Sequence, residues 1–235
     1  YSSAFTGSDA KKYAAMYPAS SLRANASVRS YGENAIDTGY LAKKDSSIAV
    51  DFQYVEVAPA NRLFGAYGTI GSLGCSWYIQ GNSEFAHIFN DGYDYVQSTL
   101  NSKKANTRRA YAVLDRPSGK TSLWQDGTTT TDSQTGSATV DADVTLPLFA
   151  EFNNSATQNF SKAIIYSIGM KEGGALKHFF APHLDATHGA GFKDVMTGEF
   201  KGESMASPAS ALSYTDGVGS SADYKYENDT LYAKV

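Results

Sequence analysis

Two short stretches set flat aromatic rings beside hydrogen-bonding side chains. Tyr93-Asp94-Tyr95 follows the turn-forming Asn90-Asp91-Gly92, and Trp124-Gln125 runs into Asp126-Gly127. An aromatic plane can stack on the C–H face of a sugar ring while a neighbouring carboxylate or amide bonds its hydroxyls, so both stretches suit sugar recognition. Turn residues at strand ends carry such groups out to solvent. For Tyr93 and Tyr95 the competing reading is that both lie on one strand face over the end of a core, with Asp94 solvated opposite. Trp124 follows the core-like Leu123, so strand alternation turns its indole to the other face. Trp77 and Tyr78 are adjacent inside a strand pattern and must face opposite ways; Trp77 is assigned to the core.

Other chemistry-bearing residues are less organised. His178, His183 and His188 recur every fifth residue with Asp185 between them. Ligands five apart on an extended strand point to opposite faces, and zinc sites use other spacings, so coincidence is the better reading. Calcium could draw carboxylates from Asp91 and Asp94 or from Asp141 and Asp143, yet neither pair forms a full ligand loop and solvated aspartates account for both. A Tyr or His base for lyase chemistry could come from His87 near Tyr78 and Gln80. No run of alternating carboxylates suggests a glycosidase groove. Cys75, the lone cysteine, sits in an apolar stretch and reads as a small buried hydrophobe.

The elements that position these groups read as strands. Ile48, Val50, Phe52 and Tyr54 alternate with Ala49, Asp51, Gln53 and Val55, the pattern of a long half-buried strand. RLFGAYG, CSWYIQG, EFAHIFN and RRAYAVLD follow as short strands, expected to be consecutive antiparallel neighbours. Arg116-Pro-Ser-Gly-Lys120 has hairpin chemistry, and Thr128 to Val144 reads as loop or exposed edge. LPLFAEF reads as a buried strand. Ala163–Ser167 continues through Ile168, with Ile164, Tyr166 and Ile168 on one face; Gly173-Gly174 then closes a hairpin onto ALKHFFAPHLD. A terminal hairpin turns at Glu227 to Asp229.

Composition agrees. The chain has 235 residues, 42% hydrophobic and 13% aromatic, with 21 glycines for turns. That length fits one all-β domain, 1–235, with residues 1–27 as a leader packing on it and a short helix over Ala10–Met16 before Pro18. The net charge of −4 and scattered Lys and Arg argue against nucleic acid as a partner. No apolar run is long enough for a helical membrane span.

The order of segments resembles a known family. Ile36 to Gly68, Arg109 to Gly127, and Lys162 to Gly202 are similar to the opening strands, a central hairpin and the closing strands of bacterial laminin-G-like, concanavalin-like domains. Phe192, Asp194, Thr197, Gly198, Glu199 and Phe200 match the last of these patterns. The resemblance implies a two-sheet antiparallel β-sandwich of jelly-roll type. It also implies a secreted or cell-surface bacterial protein, in which this module would accompany other domains; some members bind calcium. The family has no shared catalytic motif. The expectation is a non-catalytic module that binds glycan or polysaccharide through Trp124, Tyr93 and Tyr95, with Asp94 and Gln125 beside them. The alternatives are a jelly-roll polysaccharide lyase or glycoside hydrolase, and a protein-binding adhesion or spacer domain.

Overall fold

The computed structural model of the chain describes residues 2–5, 25–67, 75–79, 81, 84–90, 95–125, 128–133, 138–153, 156–205, 208, 210–227 and 230–233. Along the chain the strands are β1 (Ser2–Phe5), β2 (Ser27–Arg29), β3 (Ile36–Asp37), β4 (Ser46–Tyr54), β5 (Arg62–Tyr67), β6 (Cys75–Ile79) and β7 (Glu84–Asn90). They continue as β8 (Tyr95–Lys104), β9 (Ala110–Asp115), β10 (Lys120–Gln125), β11 (Thr128–Ser133), β12 (Pro147–Leu148), β13 (Glu151–Asn153) and β14 (Ala156–Gln158). The last are β15 (Ala163–Glu172), β16 (Ala175–Asp185), β17 (Gly189–Asp194), β18 (Phe200–Lys201), β19 (Ser213–Thr215), β20 (Tyr224–Glu227) and β21 (Thr230–Ala233).

These strands build the expected sandwich. The larger sheet runs β11-β10-β9-β4-β15-β16-β17-β18, with β2 and β19 added beside β15. The smaller runs β14-β13-β5-β6-β7-β8, with β3 and β12 at its β5 side. Between them lies a core that includes Ile48, Val50, Phe52 and Tyr54 from β4, Leu114 from β9 and Leu123 from β10. The smaller sheet supplies Phe64, Cys75, Trp77, Ile79 and Phe85. Trp77 and Cys75 are fully buried, as their sequence setting implies, and burial pushes the Cys75 thiol pKa up. Each large side chain so buried contributes about 1.5–3 kcal/mol of apolar transfer.

Strand β4 is more than half-buried. Its outward residue Ala49 joins Tyr111, Val113, Phe179, Ala181, Tyr224 and Leu231 in a second apolar cluster on the outer face of the larger sheet. Tyr224 and Leu231 come from the terminal hairpin β20–β21, in which Glu227 pairs Thr230; the turn expected at Glu227 to Asp229 otherwise lies outside the described residues. Phe179 meets Tyr224 edge-on, with ring centroids 4.9 Å apart. Within the opening segment, β1 pairs antiparallel with β21, and Ser27 belongs to β2. The helix expected over Ala10–Met16 lies outside the described residues.

Three further expectations change. β5 to β8 form a consecutive meander, but β9 leaves it and pairs with β4 and β10 in the other sheet. LPLFAEF is broken into β12 and β13 by Phe149, which adopts φ +66°. That left-handed residue turns the chain from antiparallel pairing with β3 and β5 to parallel pairing with β5. In β15 the alternation slips: Ile165 pairs Phe52 and Ser167 pairs Asp51, leaving Tyr166 as an extra residue. The bulge moves Ile168 onto the same core face as Ile165.

One turn pattern recurs among the described hairpins. Asp115, Asp185 and Asp194 each end a strand, each takes a hydrogen bond from the side chain three residues on (Ser118, His188, Thr197), and each is followed at the fourth position by a glycine. Those glycines, Gly119, Gly189 and Gly198, have φ of +63°, +79° and +79°, a region that an added Cβ would strain. The aspartate closes the turn from one side and the glycine permits the reversal on the other.

Candidate functional site

The outer face of the larger sheet carries a polar row. Lys120 of β10 stands opposite Asp115 of β9, Asp115 opposite Ser47 of β4, and Ser47 opposite Lys171 of β15. With strands spaced about 4.8 Å apart, this row spans about 14 Å across four strands. One step along the strands lies a second row, Ser122, Val113, Ala49 and Gly169, with small and apolar members. Together with Ser118 and Gly174 these residues line a trough of about 280 Å³. Because neighbouring residues on a strand face opposite ways, Thr121, Leu123 and Gln125 turn inward and are buried, leaving Lys120, Ser122 and Trp124 on the trough side.

Asp115 organises the polar row. Its Oδ1 accepts a hydrogen bond from Ser47 Oγ at 2.5 Å, and its Oδ2 accepts one from Ser118 Oγ. Both hydroxyls keep lone pairs for a ligand donor. Behind the row, Arg116 is fully buried and donates to the carbonyls of Ala42, Lys43 and Val140. This guanidinium ties the β9–β10 turn to two loops, so the turn that carries Asp115, Ser118 and Lys120 is held firmly.

Of the residues that the sequence singled out, Trp124 lies next to this trough, two positions beyond Ser122 on the same strand face. It is half-buried and leans on Tyr111 with ring centroids 5.5 Å apart. Gln125 lies elsewhere: it is 3% exposed and faces the opposite side of β10. Its amide exchanges hydrogen bonds with Asn106 at 2.8 and 2.9 Å and donates to the Arg108 carbonyl at 3.1 Å. Adjacent positions on a strand cannot share a face, which separates Gln125 from Trp124. Tyr95 opens β8 in the smaller sheet, where its backbone alone is described; Tyr93 and Asp94 lie outside the described residues.

The histidines have separate partners. His178 Nδ1 lies 2.8 Å from Asp194, His183 Nδ1 lies 2.8 Å from Ser221 Oγ, and His188 Nδ1 lies 2.9 Å from Asp185. Among the described residues no three His, Cys, Asp or Glu side chains gather as a metal site would require. Asp141 accepts the Lys44 N–H at 2.8 Å and faces the Lys43 ammonium at 3.5 Å; the Lys44 bond leads in holding its carboxyl below the usual range. Asp91 and the side chain of His87 are not among the described parts. No described helix is long and apolar enough to cross a membrane.

Ser47, Asp115, Ser118, Lys120 and Lys171 were not singled out from the sequence. Asp115-Arg-Pro-Ser-Gly-Lys120 did carry a signal, since three hydrogen-bonding side chains crowd one hairpin turn. Ser47 and Lys171 carried none, because only the pairing of β4 with β9 brings Ser47 to the turn and only that of β4 with β15 sets Lys171 beside Ser47.

No family model matches this chain, and no curated protein matches it. Solved structures of similar shape do exist. One is the CBM40 domain of the Ruminococcus gnavus IT-sialidase, 10% identical, covering 64% of this chain and 91% of that one with a TM-score of 0.48. The same domain has been solved bound to α2,3 and to α2,6 sialyllactose. Domains LG4-5 of the mouse laminin α1 chain are 12% identical, covering 83% of this chain and 47% of that one, with a TM-score of 0.49. A SAP-like pentraxin of Limulus polyphemus is 7% identical, covering 63% and 76%, with a TM-score of 0.40. The likeness is one of fold.

Proposed function

We propose that this chain is a carbohydrate-binding module that seats a glycan in the outer-face trough, against Trp124. The observation that carries the reading is a row of hydroxyl, carboxylate and ammonium groups set beside an apolar floor, with an indole two residues further along the same face. A sugar ring needs that combination: hydrogen-bond partners for its edge and a flat or apolar surface for its C–H face. The floor of Ala49, Val113 and Gly169 is low enough to let a ring approach the backbone of the sheet. Tyr93 and Tyr95 remain proposed as contacts. With the reading goes a place outside the cell or on its surface, where polysaccharide is met.

The test is affinity electrophoresis of the purified chain against a polysaccharide panel, with released product followed in the same samples. Retarded migration without product supports a binding module; released sugars or unsaturated products would replace this reading with an enzyme. Trp124→Ala is expected to weaken retention about tenfold, as the loss of one stacking ring predicts. Unchanged retention by Trp124→Ala would move the site away from this face, and alanine at Tyr93 and Tyr95 asks whether the smaller sheet holds it instead.

A further inference from the structure

We propose, building on the glycan reading above, that the trough selects an anionic sugar bearing carboxylate or sulfate, with Lys120 as its counter-ion. The two ends of the polar row are both cations, Lys120 and Lys171, and its one carboxylate, Asp115, lies between them. Asp115 is turned toward Ser47 and Ser118, whose hydroxyls it accepts. Lys120 stands opposite it in register, yet its ammonium makes no ion pair or hydrogen bond with any described side chain.

The ammonium groups of Lys44, Lys177 and Lys193 likewise have no carboxylate partner among the described residues, but of these lysines Lys120 is the one that lines the trough. Lys43, Lys104, Lys162, Lys201 and Lys225 each have a carboxylate within 4.0 Å: Asp141, Glu84, Glu56, Glu199 and Glu227. A chain of net charge −4 has acidic groups to offer, and among the described residues none of them pairs with this cation on the rim of the trough. Lys171, only 9% exposed, adds a second positive charge at the far end, where burial strengthens its field. An incoming anion is attracted to Lys120 at the exposed end of the row. The serine hydroxyls and Asp115 between the two lysines then meet the neutral hydroxyls of the same ring.

The experiment compares retention on polygalacturonate and chondroitin sulfate with retention on neutral laminarin and xylan, for the unmodified chain, Lys120→Glu and Lys120→Arg. Preferential binding of the acidic chains, weakening as salt rises, is expected. Lys120→Glu should lower that affinity tenfold or more with an unchanged thermal midpoint, while Lys120→Arg keeps most of it. Equal binding of neutral and acidic chains, indifferent to Lys120→Glu, overturns the anionic preference and leaves the glycan reading standing. No retention on any of the four polymers overturns both.

Discussion

Asp194 and Asp115 end two hairpins of the same design and serve different ends. Each accepts a hydrogen bond from the hydroxyl three places on, of Thr197 or Ser118, and each is followed four places on by a glycine with positive φ. Asp194 is 1% exposed and also receives the Phe179 and Met196 N–H groups and His178. Asp115 receives one further partner, Ser47, and opens onto the trough. The turn pattern therefore fixes the local fold, while the strands laid alongside decide whether the carboxylate is a fastening or a contact. β16, paired alongside β17, brings His178 and the Phe179 N–H to Asp194, whereas the strand beside Asp115 brings only Ser47 to its side chain.

The sharpest way to break this comparison is to remove both carboxylates in turn. Asp194→Ala is expected to cost about 3 kcal/mol of unfolding free energy, because it removes charge-assisted hydrogen bonds and leaves the buried Phe179 N–H without its acceptor. Urea denaturation measures the loss, and glycan retention per folded molecule should stay the same. The same site predicts acid sensitivity. Burial acts to raise the Asp194 pKa, but the bonds from His178, Met196, Phe179 and Thr197 outweigh it and hold the carboxyl below its usual value. A folded-state pKa below the unfolded one means that this stabilisation is complete above the ordinary carboxylate range. It is lost as pH falls below about 4. Asp194→Asn should flatten that decline, and a decline of equal steepness would place its origin elsewhere.

Asp115→Ala sharpens the other half. Its carboxylate is partly exposed and holds two serines that water can also satisfy, so the stability change should stay within about 1 kcal/mol. Glycan affinity is expected to fall about tenfold, as it would for a lost charged hydrogen bond in the site. Titration of the folded variant by calorimetry measures this. A large stability loss with unchanged affinity would make Asp115 a second fastening and erase the distinction.

How much of this was legible in the sequence follows the same division. Turns and hairpins were readable because their chemistry is local: Gly173-Gly174 and Arg116 to Lys120 both reverse the chain as their residues suggest. The burial of Trp77 and Cys75 followed from apolar neighbours. The departure of β9 from the meander, the break at Phe149 and the bulge at Tyr166 did not, since each depends on which strand lies alongside. The trough is of that second kind. Lys120 and Lys171 lie 51 positions apart and meet only through β9 and β4. Trp124 was singled out because an aromatic ring beside a hairpin turn is a local signal.

The smallest effect separates the two faces of β10 itself. Gln125 was grouped with Trp124 because the two are adjacent, but adjacency on a strand sends side chains in opposite directions. Gln125 bonds Asn106 reciprocally and holds the Arg108 carbonyl, so it fastens the approach to β9. Gln125→Ala should therefore cost about 1 kcal/mol of stability, the net worth of a few neutral hydrogen bonds with partners that water can reach. It should leave glycan retention at the unmodified level, the reverse of Trp124→Ala. If Gln125→Ala weakened retention without lowering the denaturation midpoint, the ligand would have to reach the inner side of β10, and the site would belong to the sandwich end near Asn106 instead of the outer face.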